Sequence, residues 1–161
     1  MAGSASGLSA RRARGRAAAD PLLWLALAAA LPVWAVIAWW RPLADPAWPL
    51  ALPATFALLV LVYPVVEELV FRGALQGALL SRAWGRRRWG PVSLANGLTT
   101  AAFVSLHLLY QPWAWALAVV APSLVFGYFR ERHGSVWTPI VLHVTYNAGF
   151  FWLFGVGEEF V

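Results

Sequence analysis

The sequence contains no cysteine. Disulfides, thiolate nucleophiles and cysteine metal sites are thereby excluded, and the redox compartment is left open. It contains no lysine either: all twelve basic residues are arginine. Charge is scarce altogether, at 12% of residues against 61% hydrophobic. A soluble domain carries about a quarter of its residues charged, so this composition argues for a chain embedded in lipid. No internal repeat is visible, and 161 residues suffice for one compact domain.

The charge that is present is clustered, and its pattern informs more than the net +5. Residues 1–20 are small and polar, with Arg11, Arg12, Arg14 and Arg16, and read as a disordered basic tail. Five apolar stretches follow: Leu22–Trp40, Leu50–Leu80, Val92–Tyr110, Trp113–Phe129 and Val136–Phe154. The first is long enough to cross a hydrocarbon core of ~30 Å. It is long for a signal-peptide h-region and further spans follow it, which favours a retained helix. The second would measure roughly 46 Å as a straight helix, too long for one upright span. It either tilts strongly or breaks near Pro64, with Pro53 a second kink point. Gly73 and Gly77 give it a small face for close helix contact, and Trp84, Trp89, Trp113, Trp115 and Trp137 fall near predicted span ends.

Loop charge orients these spans. The tail, the 81–91 loop (Arg82, Arg86, Arg87, Arg88) and Arg130–Arg132 hold ten of the twelve arginines. The 41–49 loop, the turn near Gln111 and the C-terminal end with Glu158 and Glu159 hold one. The two sets alternate across five spans, so the positive-inside rule puts the N-terminus in the cytoplasm and the C-terminus outside. The expected fold is all-α: a polytopic membrane helical bundle of about five transmembrane helices. Residues 1–20 form its cytoplasmic tail, 21–155 its embedded core and 156–161 an acidic tail. Arginines flanking apolar segments suit anionic lipid headgroups, so the bilayer is the expected partner and nucleic acid is not.

Against this background "VVEELVFR", residues 65–72, stands out. An acidic side chain at a helix centre costs about 2.5–3.5 kcal/mol on insertion scales. Glu68 and Arg72 are four apart and can neutralise each other on one helix face. Glu67 points about 100° away and needs a partner from another helix or from water. Other spans offer His107 in "FVSLH" and His143 with Asn147 in "HVTYN", the last two on one face by their spacing. A carboxylate, two imidazoles and an amide are what activating water at a carbonyl requires: a base for the proton and donors for the oxyanion.

"EELVFR", "FVSLH" and "HVTYN" match EExxxR, FxxxH and HxxxN, in that order and on separate helices. Over roughly residues 50–152 the chain resembles the CPBP family of intramembrane proteases, which includes CAAX prenyl endopeptidases and bacteriocin-processing and immunity proteins. The resemblance implies that Glu67 and His107 bind and deprotonate the attacking water. It implies that His143 and Asn147 stabilise the oxyanion, and that Glu68 and Arg72 form the ion pair supporting the site. It implies a membrane-protein substrate with a C-terminal hydrophobic or lipidated segment, and a multi-pass protein of a bacterial inner membrane. The compact size is also similar to small bacterial members linked to C-terminal sorting tails. No cofactor is expected, because Asn147 is a poor zinc ligand; a metal-dependent variant would use Glu67, His107 and His143 on Zn²⁺.

Other readings stay open at this stage. Glu67 and Glu68 could cap an interfacial helix after Pro64. His107, His143 and Asn147 could be interhelical packing groups. Ser105 could be a nucleophile with His107, although two residues apart they face different ways. His133 is expected in a loop, solvated beside Arg132. The protein as a whole could be a non-catalytic immunity or scaffold factor of the same fold, or a transporter subunit relaying protons through Glu67.

Overall fold

A computed structural model describes residues 17–157; Arg11–Arg16, Glu158 and Glu159 lie outside the described residues. Helix dominates. α1 spans Pro21–Ile37, α2 Trp48–Ala51, α3 Pro53–Leu80, α4 Leu94–His107, α5 Trp113–His133 and α6 Trp137–Phe154. A short ribbon of β1 (Arg88–Trp89) and β2 (Val92–Ser93) pairs antiparallel, Arg88 opposite Ser93 and Trp89 opposite Val92. α3 and α5 are long and apolar enough to cross a membrane.

Proline punctuates these helices in two ways. Pro32 and Pro122 sit inside α1 and α5, where each lacks an N–H for the carbonyl four residues back. The regular helix lapses at Ala29 and at Val119, three residues before each proline, and then resumes. Pro53 and Pro139 occupy first turns, where a missing N–H costs nothing. Pro64 does not break α3. The ladder instead widens to π-helical spacing over Leu58–Val62, and again over Leu69–Leu75, so Pro53–Leu80 is one continuous rod, and the apolar stretch breaks at Leu52, just before Pro53. Glu67 and Glu68 lie within that rod and cap no interfacial helix.

The 81–91 stretch is more ordered than a loop. Gly90, at φ +59°, makes the turn that pairs β1 with β2. The Ser93 hydroxyl then accepts the Asn96 N–H at 3.0 Å, which starts α4 at Leu94 rather than Val92.

Chain direction alternates through the bundle. One end gathers Asp20, Gln76, Ser93, Glu131 and His133 through their hydrogen bonds. The other ties the 41–48 segment to the end of α6: Ala44 N–H donates to Leu153 O, and Trp48 Nε1 to Phe151 O. Leu23, Phe126, Phe129 and Leu142 form a small apolar core between α1, α5 and α6. Large apolar side chains on α1 and α3 are exposed, among them Trp24, Leu25, Leu31, Val66, Leu69 and Val70. A surface of that kind suits lipid rather than water.

His133 corrects the expectation of a solvated loop residue. It ends α5, where Gly134 in the left-handed conformation stops the helix. Its side chain is nearly buried, with Nε2 2.9 Å from Asp20 Oδ2 and Nδ1 2.9 Å from Thr138 Oγ1. Antiparallel packing of α1 and α5 brings Asp20 to it, and this contact is invisible along the chain.

Candidate active site

α3 presents Glu67 and Glu68 on adjacent faces. Glu68 and Arg72 are both fully buried, and Arg72 Nη1 donates to Glu68 Oε1 at 2.9 Å. A buried charge is tolerable only when paired and hydrogen-bonded, and Arg72 meets that requirement at both terminal nitrogens. Its Nη2 donates to Ser123 Oγ at 2.7 Å and Ser123 O at 3.2 Å. Its guanidinium lies over Phe103 and Phe126, 4.6 and 5.4 Å from the ring centres.

His143, from the first half of α6, joins this pair. Its Nδ1 lies 2.8 Å from Glu68 Oε1. A carboxylate bonded to arginine accepts only, so Nδ1 carries the proton and Nε2 is left to the other side. That side is Glu67: Nε2 stands 3.7 Å from Glu67 Oε2, beyond a direct hydrogen bond and within the reach of a bridging water. Phe126 stacks on the imidazole, ring centres 5.0 Å apart, and fixes its plane. Glu67 itself is 27% exposed, whereas Glu68 is shut away.

His107, at the last turn of α4, is held in a similar sense. Its Nδ1 is 2.9 Å from Phe103 O, and a carbonyl can only accept. Nδ1 therefore donates, and in the neutral ring Nε2 is the accepting nitrogen. Asn147 lies one turn beyond His143 on α6, and its Nδ2 donates to Leu59 O at 3.0 Å. The need for that bond comes from Pro64. In the π-helical stretch Tyr63 N–H is committed to Leu58 O. The donor next due, five residues on from Leu59, is Pro64, which has no N–H. Asn147 supplies the missing donor and keeps a second N–H.

Glu67, His107, His143 and Asn147 all line one cavity of about 850 Å³. Tyr63, Phe103, Phe126 and Tyr146 share its wall, and Trp34 of α1 closes another side. Trp34 lies directly on Gly149, where an added Cβ would sit 2.1 Å from the indole. The cavity extends to Tyr110, Gln111 and Trp115 at the α4–α5 turn. Glu68 and Arg72 stand behind this wall, and Ser105 is exposed and outside it. Glu67, His107 and His143 are of the chemistry that binds zinc. Among the described residues no three His, Asp or Glu side chains are grouped closely enough to hold one cation.

Sequence reasoning did not single out Ser123, Thr100 and Asn96, which back Arg72. The available signal was polar residues inside apolar spans: Thr99, Thr100 and Asn96 on α4, and Ser123 beside Pro122 on α5. Nor did it single out Gln76, four residues beyond Arg72, which donates to Gly127 O and to Glu131.

The sequence model of the family described as "Type II CAAX prenyl endopeptidase Rce1-like" matches residues 48–149. The match takes in α2 through most of α6 with every cavity residue that carries chemistry, and leaves α1 outside. No curated protein and no solved structure matches the chain.

Proposed function

The chain belongs to the Rce1-like type II CAAX prenyl endopeptidases, a family of proteases, and on that premise we propose that it is an intramembrane endopeptidase cutting a membrane-associated protein near its C-terminus. The substrate ends in a CAAX-like or sorting tail. The chain crosses a bacterial inner membrane five times with its N-terminus in the cytoplasm. In that topology the cavity mouth near Tyr110 and Gln111 faces the outer leaflet.

The reaction is direct attack by water, with no acyl-enzyme and no metal step. Water sits between the Glu67 carboxylate and the His107 Nε2 lone pair. Glu67 takes a proton as the oxygen adds to the scissile carbonyl. The oxyanion receives the second N–H of Asn147. His143 exchanges protons with the cavity at Nε2, because Glu68 occupies Nδ1; once protonated there it donates to the oxyanion, and the Glu68 charge stabilises the imidazolium. Glu67 returns its proton to the leaving amine.

One observation carries this reading. His143 stands between the two glutamates, in the wall of a cavity that also holds His107 and Asn147. The test uses purified protein in liposomes with two reporters. One ends in a farnesylated Cys-aliphatic-aliphatic-X box; the other ends in an apolar helix and a basic tip. Mass spectrometry should find at least one of them shortened at its C-terminal side. Folded protein that cuts neither contradicts the proposal.

A further inference from the structure

Behind the cavity runs a chain of hydrogen bonds with one direction. Arg72 Nη2 donates to Ser123 Oγ (2.7 Å), Ser123 Oγ donates to Thr100 Oγ1 (2.9 Å), and Thr100 Oγ1 donates to Asn96 Oδ1 (3.4 Å). Asn96 Nδ2 closes the run on Leu124 O at 2.9 Å. Each hydroxyl accepts one bond and donates one, so the run polarises in a single sense and its members strengthen one another. Ser123, Asn96 and Thr100 are buried. The close approach of α4 to α5 that makes the run possible depends on Gly127, where an added Cβ would stand 1.9 Å from Asn96 Oδ1.

At its other end the run meets the site. Arg72 Nη1 holds Glu68 Oε1, and that same oxygen holds His143 Nδ1. Arg72 Nε has no hydrogen-bond partner. Nη2 is thus the atom that ties the guanidinium to α5, and Ser123 supplies both oxygens that hold it. Without the Ser123 hydroxyl, Nη2 keeps only the longer bond to Ser123 O, and the guanidinium gains room to turn about its stem. Glu68 then loses its fixed aim, and His143 its preference for the Nδ1–H tautomer.

We propose that Ser123, set by Thr100 and Asn96, is a positioning residue that acts through Arg72 and Glu68 to hold His143 with Nε2 open to the cavity. The inference rests on the protease reading for its consequence in rate, and on geometry alone for its consequence in tautomer. The chain has three histidines, so ¹⁵N-histidine labelling of the full protein in detergent gives few signals, assigned with His107→Gln and His133→Gln. Wild type should show His143 in the Nδ1–H form. Ser123→Ala should mix in the Nε2–H form and lower kcat about tenfold with KM little changed, as expected when a reacting group is misplaced. Ser123→Thr, which keeps the hydroxyl, should restore the tautomer. Thr100→Val is nearly isosteric and serves as a second variant should Ser123→Ala fail to fold. It removes the acceptor for Ser123 and should show the same mixing. A purely structural Ser123 would lower thermal stability while leaving the His143 signals unmoved, and that result would overturn the proposal. The tautomer needs no substrate, so its outcome stands whether or not either reporter is cut.

Discussion

Glu67 and Glu68 are adjacent in sequence and opposite in physical role. Glu68 is fully buried, bonded to Arg72 and His143, and has no route to solvent. Glu67 is partly exposed and lines the cavity. Removing Glu68 leaves a buried guanidinium without its counter-charge, which typically costs about 3–5 kcal/mol. Glu68→Ala should therefore lower the thermal midpoint in detergent markedly as well as abolish cleavage. A midpoint equal to that of wild type would mean that Arg72 finds another partner. The sequence showed that two acids and an arginine sat inside an apolar stretch, and i,i+4 spacing paired the two that bond. It could not show which acid faces water, because that depends on where α6 delivers His143. Nor could it recover Ser123 or Thr100 as supports, since a lone hydroxyl in an apolar run reads the same whether it bonds its own helix or a neighbour.

At the scale of elements, α3 carries the device that couples fold to site. Pro64 and the widened turn before it leave Leu59 O without a backbone donor, and Asn147 fills the vacancy. Pro64→Ala restores an N–H and removes a helix-breaking residue, a change that by itself favours the helix by up to about 3 kcal/mol. The account predicts a protein no less stable and yet slower at cleavage, because the restored N–H competes with Asn147 for Leu59 O and frees its amide to swing. Unfolding and turnover measured on the same preparation check this; unchanged turnover would detach Asn147 from the site. Hydropathy located the stretches that fold as α1, α3, α4, α5 and α6. Hydropathy is blind to the π-helical turns, which preserve composition and alter only hydrogen-bond spacing. The pauses at Ala29 and Val119 were in principle legible from Pro32 and Pro122 four residues after the deprived carbonyl. The β1–β2 ribbon was hidden in an arginine-rich loop because only Gly90 and Pro91 mark its turn.

At the scale of the molecule, α1 lies outside the family match yet closes the cavity through Trp34 and docks by Asp20. The Arg132 guanidinium beside Asp20 holds its carboxyl far below the usual carboxylate range, with His133 and the Leu22 N–H adding to the effect. A group depressed on folding stabilises above its unfolded value and loses that contribution as pH falls through the folded one. With an ordinary value of 3.8, the Asp20 contribution should be complete above about pH 4 and fade only below it. Asp20→Asn keeps an oxygen for the Leu22 N–H and removes the charge. The gap in thermal midpoint between wild type and this variant should narrow as the buffer is taken below about pH 4, where the unfolded carboxylate protonates. A gap that widens on acidification would contradict the assignment.

The account stands or falls on Glu67 as the group that activates water. Glu67→Gln preserves shape and hydrogen-bonding reach but cannot take a proton, and loss of a general base typically costs about 10²–10⁴ in rate. Wild type and Glu67→Gln, reconstituted side by side in liposomes with whichever reporter the wild type cuts, should have matching thermal midpoints. Product formation by the variant should be at least about a hundredfold slower. Cleavage by folded Glu67→Gln at the wild-type rate would contradict the central claim.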